Sequence, residues 1–440
     1  MGRIKVVVRT HIDEDNATPI FWLGEPAGVP NARDSRTLDD DVGDGPFGRL
    51  ATAVHGQPAV DGAAGAGLVR IAGEEVYRRL TIHPGVRAAL EAAEVEPPEE
   101  IRTLHVCLSN AEAENIPWEA IFLPNDEFAA LSSSWRLARV VEAAEGVAER
   151  VFDGTLRMVA ILGAADRYVE LEWQAMLDHL TDPPVPIDLL VLTCKKELRD
   201  EINALGLGSV RARLITNSVS GLLAEIESHG PQLLHVFSHG TSEYGGQLVV
   251  SHRGSEQGGD DPLFVSATDL QPLANELWLV CLNTCRGAES VDRLHSLASS
   301  LVSKGVPSVV AMREAIDSAD AHEFCGAFLG RALETIHQTL EQGGTHELEW
   351  DGVLRTPRVK LSERHPGPAP VATTQWKAWS VPVLYRRPKP LLVENVVDEL
   401  ADIREDLEFL RSIRADLHPD TSQSKIEKLD ARIAALEAQL

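Results

Sequence analysis

Cysteine, basic residues and long apolar runs are all scarce in this chain of 440 residues, and each scarcity removes a class of function. The five cysteines, Cys107, Cys194, Cys281, Cys285 and Cys325, are odd in number and scattered over the whole length. That is no disulfide framework, so each reads as a reduced thiol, either core filler or reactive. Lysine and arginine total 41 against 67 aspartates and glutamates, a formal charge of -26. Nucleic acid and anionic lipid call for clustered positive charge, so no direct nucleic-acid partner is expected. No run reaches the roughly 18 apolar residues of a membrane span, and the start lacks the apolar core and cleavage site of a signal peptide. A cytoplasmic protein with no membrane association is expected. Val6 stands where an N-myristoylation signal needs Ser or Thr. Neither an EF-hand spacing nor a second Cys/His cluster is present, so no metal or cofactor is expected.

What is present is an alternation of short apolar runs with helical spacing. At about 150 residues per domain the length suggests two or three units or one elaborated unit. Strand-like runs lie at Ile4 to Val8 and Ile20 to Leu23, followed by a Gly-, Ala-, Pro- and Asp-rich stretch to about Gly67 that reads as a loop. Helical spacing from Glu74 to Ala93 and a strand at Thr103 to Leu108 give residues 1–153 the pattern of an N-terminal α/β lobe. In residues 154–388 the runs 158–162, 187–192, 233–237, 248–250, 277–282 and 306–311 are short and rich in β-branched residues. Helical segments at 169–180, 195–205, 219–229, 292–304 and 319–340 separate them, which predicts buried, largely parallel strands in an α/β sheet. Residues 389–440 carry apolar positions such as Val396, Leu400, Ile403, Leu407 and Leu410, then Ile426, Leu429, Ile433 and Leu436, at steps of three or four. They predict two amphipathic helices in a coiled-coil-like tail, which would form a capping hairpin, self-associate or bind a partner.

Two predicted strands end in chemistry. Leu233 to Gly240 places His239 just past a buried strand, followed by a Gly whose backbone can approach a ligand closely. Leu277 to Gly287 does the same for Cys285. In a parallel sheet, reactive side chains collect at the carboxyl ends of strands, and a Cys with a His there can act as nucleophile and acid/base. Taken singly, each residue is more often structural: a strand-end Cys as a small hydrophobe, a His as a hydrogen-bonded core group. Cys281, Cys107 and Cys325 read as core. A zinc site at Cys281 and Cys285 would need the strand to fold sharply and lacks other ligands.

These motifs, His235 to Gly240 and Leu282 to Ala288, resemble those of the CHAT-type caspase-like cysteine peptidases, distant relatives of separase and caspases. Ile116-Pro-Trp-Glu-Ala-Ile-Phe122 is similar to the family's Pro-Trp-Glu segment, Ser299 to Ala311 to its helix and Gly-Val-Pro strand, and Trp379 to Tyr385 to its closing strand. The resemblance covers about residues 70 to 386 in preserved order. It implies a caspase-like, largely parallel sheet flanked by helices. It also implies a cysteine endopeptidase with Cys285 as nucleophile, His239 as acid/base, and the backbone N-H groups of Gly240 and Cys285 as oxyanion hole.

Relatives of this type place the substrate's P1 side chain near the segment after Val310, where Glu314, Asp317 and Asp320 would suit a basic residue; Asp317 would serve equally as a helix N-cap. No tetratricopeptide array is present, so a protein substrate and a regulatory or sensor protein docked on 389–440 are expected, with a homo-oligomer as a further option. The loop Ser251 to Asp261 would be a processing loop or a passive insertion. The family suggests a latent enzyme of bacterial signalling, defence or cell death; the other reading is a catalytically silent scaffold that assembles through its tail.

Overall fold

The computed structural model describes residues 4–13, 18–24, 62–81, 86–87, 90–91, 101–108, 114, 116–141, 148–241, 247–252, 261–284, 294–313, 316–364, 377–415, 417 and 423–438. The first segment holds β1 (Ile4–Asp13), β2 (Thr18–Gly24), α1 (Gly62–Leu80) and β3 (Arg102–Leu108). A small hairpin of β4 (Phe122–Leu123) and β5 (Glu127–Phe128) precedes β6 (Trp135–Val141) and β7 (Ala148–Phe152). From β8 (Leu156–Leu162) strands and helices alternate: α2 (Tyr168–Leu180), β9 (Ile187–Thr193), α3 (Lys196–Ala204), β10 (Val210–Leu214), α4 (Val219–His229) and β11 (Leu233–Thr241). Next come β12 (Gln247–Val250), β13 (Leu263–Val265), α5 (Ala267–Leu270), β14 (Leu279–Thr284), α6 (Leu294–Ser303), β15 (Ser308–Met312) and α7 (Ser318–Leu340). The chain continues through β16 (Gly344–Leu348), α8 (Arg355–Arg364), β17 (Pro382–Arg386) and β18 (Leu391–Asn395) to α9 (Val397–Ala415) and α10 (Gln423–Glu437).

One 13-stranded sheet runs through the molecule in the order β10, β9, β8, β11, β14, β15, β17, β6, β3, β1, β2, with β12 and β13 branching from β11. It is parallel from β10 to β15 and again from β17 to β1, and antiparallel at β15 with β17 and at β1 with β2. The fold is therefore mixed α/β with a largely parallel central sheet flanked by helices, followed by helices at the C-terminal end.

Both faces of the sheet are buried, which explains why its strands read as continuous apolar runs. Successive side chains point to opposite faces. Met158, Ala160 and Leu162 pack with Leu233, Phe237 and Cys281 against Trp173 and Met176 of α2 and Phe324, Phe328 and Leu333 of α7. The residues between them, Val159, Ile161, Leu234, Val236, Val280 and Leu282, pack on the other face against Leu222 and Ile226 of α4 and Leu297 and Leu301 of α6. Ser218 caps α4 by accepting from the Gly221 N-H, and Gly230 ends it at φ 60, a left-handed C-cap that glycine adopts without strain.

Some expectations change. Residues 248–250, read as a strand of the parallel sheet, form β12, which pairs antiparallel with β11 and β13 off the main path. The helix expected from Glu74 begins at Gly62. Strands β6, β7, β10, β16 and β18 and helix α8 carried no strong periodic signal. Strand β18 pairs with β7 and β16, so residues just past Pro388 join a three-stranded sheet before the tail helices begin at Val397. Those two helices pack on one another, with Arg411 bonded to Glu437 and Arg414 to Asp430. Among the described residues, no helix is long and apolar enough to cross a membrane.

Candidate active site

Strand order creates the site. The chain leaves β8 toward β9 on one side, then crosses back through α4 to β11 on the other, so the carboxyl ends of β8 and β11 diverge at a topological switch point. Crevices in open α/β sheets form at such points. His239 lies at the carboxyl end of β11, about one-third exposed. Just past the end of β8, Asp166 brings a carboxylate oxygen to 3.9 Å from His239 Nε2. Strand β14 runs parallel beside β11 with Leu233 opposite Leu279 and Ser238 opposite Thr284. The same sequence offset separates His239 from Cys285. Cys285 itself lies outside the described residues. Gly240 is buried, opposite Leu248 in the ladder to β12.

Beneath His239, on the same face of the sheet, lies a buried polar cluster that sequence reading missed. Glu172, fully buried on α2, accepts from His235 Nε2 at 2.7 Å, Asn283 Nδ2 at 2.7 Å and His322 Nδ1 at 2.8 Å. A carboxylate oxygen only accepts, so His235 carries a proton on Nε2 and His322 one on Nδ1 in these bonds. Burial pushes the Glu172 carboxyl up, but the hydrogen bonds from His235 and His322 more than offset this and hold it at about 2. Asn283 Nδ2 also donates to the Ala321 carbonyl, so one amide joins β14, α2 and α7. Asn283 Oδ1 and His322 Nε2 are buried without a hydrogen-bond partner among the described residues. The signal that could have found Glu172 is a lone acid on the apolar stripe of a crossover helix, flanked by Val169, Trp173 and Met176.

A Glu172 oxygen, His235 nitrogen and Cys325 sulfur lie within 4.8 Å of one another, the one group among the described residues close enough to hold a metal ion. Hydrogen bonds account for the same arrangement, since both carboxylate oxygens already accept from imidazole or amide N-H groups. Cys107, Cys194, Cys281 and Cys325 are all buried. Burial, with the Glu172 charge adding to it, pushes the Cys281 and Cys325 thiols well above their ordinary range and keeps them inert.

The Pro-Trp-Glu segment has a structural use. Glu119 forms a bidentate pair with Arg139 of β6 at 2.9 and 2.5 Å, both side chains buried. Arg139 also donates to the Glu114 and Ile116 carbonyls and lies 5.7 Å from the Tyr385 ring centroid on β17. Burial pushes the Glu119 carboxyl up, and the adjacent guanidinium overrides it, holding it at about 2. This pair clamps β6 to the Pro-Trp-Glu turn, near the seam where β17 joins the two parallel halves.

The three acids named for a basic P1 side chain fare differently. Asp317 caps α7, accepting from the Ala319 N-H at 2.9 Å. Asp320 is buried and pairs with Arg364 at 2.9 Å. Glu314 lies outside the described residues, as does most of the loop from Ser251 to Asp261.

The CHAT domain family model matches residues 70–342, well over half of the chain, and the chain belongs to that family. The match points to a cysteine peptidase-type domain. No curated protein sequence matches. Among solved structures, two of the Saccharomyces cerevisiae separase-securin complex are similar. They show 10% and 11% identity over 73% and 70% of this chain, with TM-scores of 0.33 and 0.35. The chain spans only 18% and 17% of the length of those chains.

Proposed function

We propose that the chain is a cysteine endopeptidase acting through His239 and Cys285. The thiol of Cys285 loses its proton to His239 and attacks the scissile carbonyl; His239 then protonates the leaving amine. The backbone N-H groups of Gly240 and Cys285 are assigned to the oxyanion. The observation that carries this reading is the place of His239: the carboxyl end of β11 at the switch point, beside a parallel strand whose register leads toward Cys285. The burial of the other four cysteines supports it, because it leaves Cys285 as the candidate for a reactive thiol.

The enzyme is proposed to be latent in the cytoplasm and activated by a regulatory protein docked on α9 and α10, in bacterial signalling, defence or cell death. Phe409 on α9 is 63% exposed, and apolar positions of α10 such as Ile426 and Ile433 are only half-buried, which supports a docking role. The same observation favours the second reading, a silent scaffold that assembles through these helices. A basic P1 preference would draw on Glu314 and Asp317, since Asp320 is paired with Arg364.

Incubating the protein with candidate partner proteins from its genomic neighbourhood tests both readings. Cleavage that disappears in Cys285→Ala and His239→Ala supports the dyad. Proteolysis that survives Cys285→Ala sinks it, and binding without cleavage by any form favours the scaffold.

A further inference from the structure

Asp166 is the last acid before α2, and its two carboxylate oxygens have separate tasks. Oδ1 accepts from the Tyr168 backbone N-H at 3.0 Å, closing an Asx turn at the start of the helix. Oδ2 is thereby turned toward His239, 3.9 Å from Nε2, and the two side chains are equally exposed at 32%. The acid and the imidazole sit on elements that cannot drift apart freely. Helix α2 carries Glu172, whose buried bond to His235 at 2.7 Å ties it to β11, the strand that ends in His239. The neighbouring cation, Arg167, stacks over the Tyr168 ring at 5.3 Å, and β12 meets His239 through Val249 of its backbone ladder.

Resting on the dyad reading above, we propose that Asp166 is the positioning acid of His239. It holds the ring with Nε2-H facing the carboxylate, which leaves Nδ1 to take the proton from Cys285. The product of that transfer is a thiolate and an imidazolium bearing both N-H groups. A carboxylate near the ring stabilises the imidazolium and so enlarges the fraction of Cys285 present as thiolate at neutral pH. Asp166 touches no reacting atom and acts only through His239.

Asp166→Asn keeps Oδ1 for the Asx turn and removes the charge, at a partly exposed site where folding is little affected. The first measurement is the His239 titration midpoint, by NMR of protein labelled with 13C at histidine Cε1. It is made in the Cys285→Ala full chain so that no thiol titration couples to the ring. Asp166→Asn is expected to lower that midpoint by roughly half to one pH unit, and about 0.5 M salt to bring the protein with Asp166 intact part of the way to the same value. An unchanged midpoint overturns the proposal.

The second measurement is the iodoacetamide alkylation rate of Cys285 against pH. Asp166→Asn is expected to lower it about threefold to tenfold near pH 6.5, following the midpoint shift, and to leave it unchanged at high pH. If His239→Ala lowers the neutral-pH rate and Asp166→Asn does not, Asp166 has no role in activating the thiol and the proposal falls. If His239→Ala leaves the profile as it was, the dyad reading fails, while the NMR midpoint still decides whether Asp166 stabilises the imidazolium.

Discussion

Glu172 on α2 accepts a 2.7 Å hydrogen bond from His235, which precedes His239 by two strand periods on the same face of β11. The same carboxylate binds Asn283, one strand period before Cys285 in the sequence. A single buried acid thus grips both strands that lead to the proposed dyad, and it lies on the helix that Asp166 begins.

Removing that acid should cost stability well beyond a surface change. Glu172→Ala leaves His235, Asn283 and His322 with unmatched buried donors, and a loss of about 3–5 kcal/mol is expected. Urea unfolding should show a lower midpoint at unchanged slope. A loss below about 1 kcal/mol would mean that the donors find new partners.

The Glu119 and Arg139 pair should show strong coupling. Arg139→Met alone strands a buried carboxylate, and about 3–5 kcal/mol is expected to be lost. In the double variant Arg139→Met with Glu119→Leu much of that loss should be recovered. A double-mutant cycle with no interaction energy would contradict the pairing.

Stability should peak in mildly acidic solution. Glu119 and Glu172 are held at about 2 in the folded protein, below the ordinary carboxylate range. The stability they add is full above their unfolded pKa and is lost as pH falls from about 4.5 toward 2, on the order of 3 kcal/mol for each. Burial raises Glu114 to about 7. The folded state therefore binds the Glu114 proton more tightly, and its contribution declines as pH rises from about 4.5 through 7. Thermal melting across pH should show both limbs, and Glu114→Gln should flatten the upper one.

Gly73 should not tolerate a side chain. A Cβ there would lie 1.8 Å from the Ala120 carbonyl oxygen, in the turn that follows Pro117 and Trp118. Backbone cannot yield as a flexible side chain can, so Gly73→Ala should cost about 3 kcal/mol or more. A melting temperature equal to that of the unsubstituted protein would show that α1 shifts freely.

Thiol labelling of the native protein should be selective. Cys107, Cys194, Cys281 and Cys325 are buried and should react only after unfolding, whereas Cys285 should react under native conditions. Peptide mapping that finds rapid native labelling at Cys281 or Cys325 would contradict their burial.

Much of this was legible from local pattern. Strands β8, β9, β11, β14 and β15 announce themselves because both faces are buried, so their apolar runs are unbroken. Helices α2, α4 and α7 show their 3.6-residue spacing for the same reason. Strands β7, β16 and β18 were missed because they lie in a small side sheet with exposed positions, where the burial pattern is irregular. Strand β12 shows apolar residues yet pairs antiparallel off the main path, a matter of partner choice that composition does not record. Asp317 could be read as a cap because an N-cap is a local bond, while the burial of Asp320 against Arg364 depends on α8, which comes much later in the chain.

By itself, the sequence determined the alternation of buried strands and crossover helices, the place of His239 at a strand end, and the acidic balance of the chain. Those properties reside in spacing and composition, which are local. The order of strands in the sheet was decided only in three dimensions. With it came the approach of Asp166 to His239 and the grip of Glu172 on His235, Asn283 and His322. Each of these contacts joins segments far apart in the chain, and a charge buried among distant partners leaves no periodic trace in the sequence around it.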